Sequence, residues 1–192
     1  MHVKVIGCTE PRESLCEHAG RVCYQSESKG DPGKFLKARI RQGHESLIEH
    51  FSMTFEIEGI SRACSHQLVR HRIASFSQES QRFVDMSNPE FVLPDSIRDE
   101  EYGYAIESWD RFMAYTGEVY RALRQFGIPK EDARYVLPNA TATKIVVTMN
   151  ARSLRHFFKL RCHESAQWEI RAVAKEMLRL AREYAPSLFD KI

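Results

Sequence analysis

The densest run of hydrogen-bonding side chains in this sequence is RHRIASFSQESQRF, from Arg70 to Phe83. It opens with two arginines around His71, and hydroxyl, amide and guanidinium groups follow at Ser75, Ser77, Gln78, Ser80, Gln81 and Arg82. Guanidinium groups, hydroxyls and backbone donors together are typical of phosphate and diphosphate sites. The alternative is a solvated helix end, because cations favour helix C-termini. Such an end needs no serine- and glutamine-rich run after it, so the pattern favours a site for an anionic ligand.

A second basic cluster lies in NARSLRHFFKLRCHESAQWE, from Asn150 to Glu169. Its cationic or ionisable side chains lie on or near one predicted helix: Arg152, Arg155, His156 and Arg161. The first three share a face by their spacing. Aromatic side chains interleave with them: Phe157, Phe158 and Trp168. Aromatic residues at such positions are more often core, but they also suit the walls of a site for a flat ring.

Other chemistries leave no signature in this sequence. His44 and His50 are six residues apart and Cys162 is adjacent to His163, so neither pair has the spacing of a zinc site. The patterns GxSxG, GxxxxGK[ST] and GxGxxG are absent. The residues alone therefore predict two basic clusters for anionic ligands with flat rings, no metal, and no visible nucleophile.

Composition limits the class of protein. The chain has 192 residues, 43% of them hydrophobic and 28% charged, which predicts one globular domain over residues 1–192. The net charge of +2 gives no strong field for nucleic acid or a membrane surface. Five cysteines without a CxxC pair, and no secretory signal, predict reduced thiols in a cytoplasmic protein. No apolar run approaches the roughly 20 residues that span a bilayer.

The elements that must position these clusters alternate along the chain. MHVKVIG and FSMTFEIE read as strands, the second with a strict period of two, and TATKIVVTMN reads as a third. Helices are predicted for 13–23, for the segment that Asp31 caps with Pro32 at its first position and that Gly43 ends, and for ARSLRHFFKL. Further helices are predicted from about Asp99, after Pro129 as far as Arg134, and from 170 to 184.

The helix that follows the second strand bears directly on the basic run. Ser61 is expected to cap it, and Gln67 and Arg70 share one face by their spacing of three. The basic run would then begin at a helix end and continue into a loop, where backbone groups are free for a ligand. The whole pattern predicts a mixed α/β domain with few strands and much helix.

The basic run also resembles the signature of a known family. Arg70, His71 and Arg72, then seven residues and Ser80, are similar to the signature of the flavin-dependent thymidylate synthases. The match extends to Ser75, Phe76, Gln78, Arg82 and Phe83. Upstream, GHESLIEHFSMTFEI resembles another family block, and EDARYVLP and NARSLRHFFKLRCHESAQWEIR resemble two more downstream. The blocks occur in the expected order over most of the chain.

This resemblance implies a reaction and an assembly. Such enzymes methylate dUMP to dTMP with the methylene of methylenetetrahydrofolate, FAD supplies the reducing equivalents, and NADPH usually reduces the flavin. Tetrahydrofolate leaves, and no cysteine nucleophile is used. The implied fold is α/β (α+β), with a central, mostly antiparallel sheet and long helices. The implied assembly is a homotetramer whose active sites lie between subunits, so that partner chains and the cofactor would cover the polar run. The long helices 106–126 and 168–184 are expected to contribute to core or subunit packing.

The resemblance also implies residue roles. The flavin would be contacted by His44, Ser46, Arg70, His71, Arg72, Gln78, Asn150, Arg152 and His156. The nucleotide dUMP would be held by Gln67, Arg70, Gln78, Ser80, Arg82, Arg134 and Arg161. Arg161 is the implied catalytic residue, since its guanidinium would polarise the N3 edge of uracil and enrich C5 in electron density. Cys23 stands where some relatives have a flavin-contacting serine and receives no role.

Two other functions remain alternatives. In a nucleic-acid-binding module, basic clusters would track phosphates while Phe76, Phe83 and Trp168 stacked on bases. The near-neutral charge and the amide-rich run count against it, so no nucleic-acid partner is predicted. A flavoprotein that binds nucleotides without methylating them is the other alternative, and the complete set of Arg70, Ser80, Arg134 and Arg161 counts against that one.

Overall fold

The computed structural model describes residues 1–28, 30–98 and 103–192, which form two compact units. The first unit contains Met1–Ile57, Gln67–Ser77 and Ile145–Ile192, and the second contains Glu58–His66 and Gln78–Lys144. A single domain over residues 1–192 stays a prediction. None of the described helices is both long enough and apolar enough to cross a bilayer.

A four-stranded sheet of order β1-β2-β4-β3 runs through the chain. Its strands are β1 (His2–Cys8), β2 (Ser52–Ser61), β3 (Ser75–Gln78) and β4 (Ala142–Asn150). As β1 runs from Lys4 to Thr9, its partners in β2 run back from Glu56 to Ser52, so the two strands are antiparallel. β4 is antiparallel to β2 in the same way. The predicted mixed α/β class with an antiparallel sheet is thus confirmed.

The alternation in β2 explains the core of the first unit. Phe51, Met53, Phe55 and Ile57 are all fully buried, as their period of two predicts. In the part of β4 that belongs to this unit, every second residue is buried as well: Ile145, Val147 and Met149. Such strands bury one face against helices and leave the other face half-exposed.

The helices of the first unit are α1 (Arg12–Val22), α2 (Pro32–Arg41), α7 (Ala151–Arg161) and α8 (Trp168–Tyr184), with a 3₁₀ turn at Ser46–His50. The predicted start of α2 is confirmed, because Asp31 Oδ1 accepts a hydrogen bond from Gly33 N at 2.9 Å and Pro32 occupies the first position. Gly43 follows its end with a φ of +80°, which suits glycine. α8 packs against α7 and β1.

The second unit contains α4 (Asp95–Arg98), α5 (Gly103–Gln125), α6 (Lys130–Ala133) and a 3₁₀ turn at Arg134–Val136. The predicted start of the long helix at about Asp99 lies outside the described residues. The apolar face of α5 contributes to a small core, in which Tyr120 packs with Met86 and Ala133 and its hydroxyl accepts from Met86 N at 3.3 Å.

Two predictions around the basic run are wrong. The helix after β2 is α3 (Arg62–Leu68), so Arg70 lies beyond its end and shares no helical face with Gln67. The chain turns here, with His71 N donating to Leu68 O at 3.1 Å. Residues 71–74 are irregular, as predicted, but Ser75–Gln78 form β3 instead of a continued loop, because main-chain pairing at the sheet edge outweighs the polar side-chain pattern. The cap is as predicted, since Ser61 Oγ accepts from Cys64 N at 3.0 Å.

Candidate functional site

The first unit contains a cavity of about 830 Å³. Its walls come from three segments that are distant in sequence: the turn after α3, the 3₁₀ turn at 46–50 with the residue before it, and the exposed side of α7. Seven residues with implied ligand roles line it: Arg70, His71, Arg72, Asn150, Arg152, His156 and Arg161. The two basic clusters of the sequence therefore meet in one cavity.

Local sequence explains how α7 presents its side of the cavity. Asn150 caps the helix, with its Oδ1 accepting from Ser153 N at 2.8 Å, which leaves the amide nitrogen for a ligand. Leu154, Phe157 and Phe158 are fully buried, so the helix is fixed by its apolar side. The 3.6-residue period then turns the polar residues of α7 toward the cavity.

His71 and Arg161 form the central contact of the cavity. Arg161 Nε donates to His71 Nε2 at 3.0 Å, and the His71 ring packs edge-on against Phe157 at 4.9 Å. Burial lowers the pKa of His71 from its ordinary 6.5 to about 4, and the nearby Arg161 and His156 add to this. His71 is therefore neutral at neutral pH, with a lone pair on Nε2. It orients Arg161 through one nitrogen, and the two terminal nitrogens have no other partner within the described ranges.

Two carboxylates that the sequence did not single out also line the cavity. Arg152 donates to Glu49 at 2.5 Å and its Nε lies 3.8 Å from Glu45. Glu45 also lies 3.5 Å from the buried Arg155, whose terminal nitrogen donates to Leu188 O at 2.6 Å. Arg155 thus stabilises the fold, whereas Arg152 is exposed and held by a counter-charge. The sequence feature that could have identified Glu45 and Glu49 is their spacing of four residues in GHESLIEH.

Arg70 and Arg72 differ from these paired arginines. Both are exposed, and neither has an ion pair or side-chain hydrogen bond to any residue that the structure describes. Ile73 and Leu160 beside them are 75% and 50% exposed, which adds apolar surface to the wall. Free guanidinium groups suit a diphosphate, and exposed apolar side chains suit a flat ring. The cavity therefore fits an anionic dinucleotide such as a flavin cofactor.

Three residues with implied roles in the same unit do not line the cavity. His44 and Ser46 are exposed and flank Glu45, which does line it. Gln67 is half-buried near the end of α3. The family resemblance implied flavin contacts for His44 and Ser46 and a dUMP contact for Gln67, and these roles stay predictions.

The second unit gathers most of the residues implied to hold dUMP. Arg82 Nε lies 2.6 Å from a carboxylate oxygen of Glu131, and Arg134 Nε donates to the backbone oxygen of Glu131 at 3.0 Å. Ser80 Oγ accepts from Arg82 N at 3.3 Å. Burial lowers the pKa of Arg62, and the charge of Arg134 lowers it further. Glu131 pairs with Arg82, and the charge of Glu79 acts on Arg62 against that of Arg134, so two carboxylates partly balance three arginines. The guanidinium groups still suit a phosphate.

Gln78 lies in the same unit, and two buried hydroxyl groups hold its side-chain amide. Its Nε2 donates to Ser65 Oγ at 2.9 Å and to Thr143 Oγ1 at 3.2 Å. Both hydroxyl residues are buried, with exposures of 0% and 5%. Gln78 is therefore a polar side chain with a fixed position.

Two of the five cysteines have the properties of structural thiols. Burial raises the pKa of Cys16 to about 11 and also raises that of Cys162, next to Arg161. Both thiols stay protonated at neutral pH and are poor nucleophiles. Among the residues that the structure describes, no three histidine, cysteine or acidic side chains are grouped to hold a metal ion.

Comparison with known proteins places these features in a family. Residues 4–187 match the family described as thymidylate synthase complementing protein. A flavin-dependent thymidylate synthase of Geobacter sulfurreducens is 49% identical over 200 residues, which cover 98% of this chain and 85% of the relative. One of Thermococcus kodakarensis is 51% identical over 192 residues, covering 93% of this chain and 77% of the relative. The chain therefore belongs to the thymidylate synthase complementing protein family.

Proposed function

We propose that this chain is a flavin-dependent thymidylate synthase, which converts dUMP to dTMP by reductive methylation. The observation that supports it most is that Arg70, His71 and Arg72 line the same cavity as α7, which ends at Arg161. This cavity fits an anionic dinucleotide. The names of the similar proteins from Geobacter sulfurreducens and Thermococcus kodakarensis support the same activity.

FAD is the proposed cofactor of the cavity, and when bound it supplies the reducing equivalents. Arg70 and Arg72 would hold its diphosphate as guanidinium forks, since neither has a side-chain partner among the residues that the structure describes. The remaining contacts are proposed for His44, Ser46, His71, Gln78, Asn150, Arg152 and His156. The Asn150 amide nitrogen can donate to a ligand while its oxygen still caps α7.

The nucleotide substrate is proposed to bind through its phosphate to Ser80, Arg82 and Arg134, with further contacts from Gln67, Arg70 and Gln78. The guanidinium of Arg161 would contact the N3 edge of uracil. A guanidinium stabilises negative charge on that edge, which raises electron density at C5, the carbon that attacks the methylene group. His71 supports this role because it orients Arg161 without adding a competing positive charge.

The remaining partners belong to the same proposal. Methylenetetrahydrofolate would donate the carbon and leave as tetrahydrofolate, and NADPH would be the reductant. The proposed assembly is a homotetramer with the fold of this family, in which more than one chain contacts each ligand, and the proposed location is the cytoplasm. The five free cysteines agree with a reducing compartment.

The direct test is release of tritium from dUMP labelled at C5, in the presence of FAD, NADPH and methylenetetrahydrofolate. We expect tritium release together with dTMP. Arg179→Ala is the matched control, because Arg179 is an exposed arginine paired with Glu176 and Glu183 on α8, outside the cavity. A folded, flavin-loaded protein without tritium release would instead favour a nucleotide-binding flavoprotein that does not methylate.

A further inference from the structure

The side chain of Gln78 is held by two buried hydroxyls that come from separate elements of the second unit. Ser65 lies on α3 and is fully buried, and Thr143 lies on β4 and is 5% exposed. Both accept from Gln78 Nε2, at 2.9 Å and 3.2 Å. Two buried contacts to one nitrogen fix the position of the amide more firmly than a single contact would.

The hydrogen bonds of Ser65 also fix the sense of that amide. Ser65 Oγ donates its proton to Arg62 O at 2.9 Å. A hydroxyl has one proton, so toward Gln78 it can only accept. Only the NH₂ end of the amide satisfies that lone pair. The carbonyl oxygen of Gln78 must therefore point away from Ser65 and Thr143, and no residue that the structure describes donates to it.

We propose that Ser65 and Thr143 are positioning residues that present Gln78 to the ligand as a hydrogen-bond acceptor. The ligand group opposite Gln78 is then an N–H or O–H donor and not a phosphate oxygen or a ring carbonyl, which only accept. This inference rests on the proposed function, in which Gln78 contacts the nucleotide. In dUMP the donors are the N3–H of uracil and the 3′-hydroxyl of deoxyribose.

The same hydrogen bonds explain why an amide suits this position better than a carboxylate. With Gln78→Glu, a carboxylate oxygen would face the lone pair of Ser65. Ser65 would then have to release Arg62 O in order to donate to the new carboxylate. Either outcome leaves an unfavourable contact or an unpaired buried acceptor. The cost of Gln78→Glu should therefore depend on the presence of Ser65.

The first test measures dUMP affinity by isothermal titration of the flavin-saturated protein. We expect Ser65→Ala and Thr143→Val each to weaken dUMP binding about tenfold, because each loses one contact to Gln78 Nε2. Thr143→Ser keeps the hydroxyl and should restore affinity. The matched control is Thr148→Val on the same strand, which loses a 2.9 Å contact to Thr54 and does not touch Gln78, so its affinity should equal that of the wild type.

The second test separates positioning from a purely structural role. Gln78→Glu should weaken dUMP binding more in the wild-type background than in Ser65→Ala, so the two changes are non-additive. Equal losses in both backgrounds, or unchanged affinity in Thr143→Val, would overturn the inference. If Ser65→Ala does not fold, the comparison of Thr143→Val with Thr143→Ser still decides. A wild-type protein that binds no dUMP would instead overturn the proposed function.

A third measurement identifies the donor. The 3′-deoxy analogue of dUMP lacks the hydroxyl, and N3-methyl-dUMP lacks the ring N–H. One of these analogues lacks the group that donates to the Gln78 carbonyl oxygen. That analogue should bind equally to the wild type and to Thr143→Val. If Thr143→Val weakens binding of both analogues as much as that of dUMP, neither group donates to Gln78 and the inference fails.

Discussion

At the scale of single residues, the account depends on how Arg161 is held. Its Nε donates to a neutral His71, which leaves its two terminal nitrogens for a ligand. A guanidinium with one nitrogen fixed and two free combines a defined orientation with binding capacity. In a preorganised site such a donor acts on developing charge without having to reorganise first.

Removal of that guanidinium should affect turnover more than cofactor binding. We expect Arg161→Ala to lower the rate of tritium release by about a hundredfold to a thousandfold, the usual cost of losing one donor to transition-state charge. Flavin content, read from the visible absorbance of the purified protein, should stay near the wild-type value. Near-normal turnover in Arg161→Ala would remove this residue from the catalytic role, and Arg179→Ala controls for the loss of an exposed arginine.

The neutral state of His71 has a consequence for stability. Its pKa of about 4 in the folded chain lies below its ordinary 6.5, so the unfolded chain binds the proton more readily between these values. The contribution of His71 to stability is present above pH 6.5 and is lost progressively as the pH falls toward 4. Denaturant unfolding between pH 8 and pH 4 should show a smaller loss for His71→Asn than for the wild type. Identical pH profiles of the two proteins would contradict the assigned environment.

The pair of Glu49 with Arg152 predicts competition between a carboxylate and the ligand. Glu49→Gln removes the counter-charge that Arg152 holds at 2.5 Å, so an anionic dinucleotide should bind more tightly. Exposed ion pairs are weak, and we expect FAD affinity to rise only about twofold to fivefold. Flavin fluorescence titration measures it. Glu183→Gln is the control, because Glu183 pairs with Arg179 outside the cavity; weaker FAD binding in Glu49→Gln would show instead that Glu49 positions Arg152.

At the scale of elements, Asn150 both caps α7 and lines the cavity. Asn150→Ala should lower the free energy of unfolding by about 0.5–2 kcal/mol, through loss of the cap on Ser153 N. Asn150→Ser keeps a capping oxygen and should keep the stability, while it loses the amide nitrogen proposed for FAD. Chemical denaturation and FAD titration of both variants separate the two roles. Equal stability of Asn150→Ala and the wild type would contradict the capping role.

Elements with strong local signals were predictable from sequence. The alternation of apolar and polar residues in FSMTFEIE predicted β2, and Asp31 with Pro32 predicted the start of α2. The strand β3 was not predictable, because main-chain pairing at the edge of the sheet decides it. That pairing has no counterpart in the side-chain pattern of SFSQ.

The candidate site was predictable to a similar extent. Residue types identified the two basic clusters, but their meeting in one cavity depends on contacts between segments far apart in sequence. Glu45 and Glu49 were missed because a carboxylate beside a helix gives no sign of which arginine it will meet. The amide sense of Gln78 was also out of reach, since it is set by the proton of Ser65.

At the scale of the whole molecule, α5 carries large apolar side chains on its exposed side. Tyr104, Phe112 and Tyr115 are between 54% and 89% exposed. Surfaces of this kind commonly mark interfaces between proteins. We expect light scattering to give the mass of four chains, and Phe112→Glu with Tyr115→Glu to reduce that mass. A fully active single chain would contradict both the tetramer and the sharing of sites between subunits.

The central claim is that one cavity holds the flavin while Arg161 acts on the uracil ring. A crystal structure of the protein with FAD and dUMP tests it most directly. The account predicts Arg70 or Arg72 within hydrogen-bonding distance of the diphosphate, and the free nitrogens of Arg161 against the N3 edge of uracil. FAD bound outside this cavity in the assembled protein, or uracil bound away from Arg161, would contradict it.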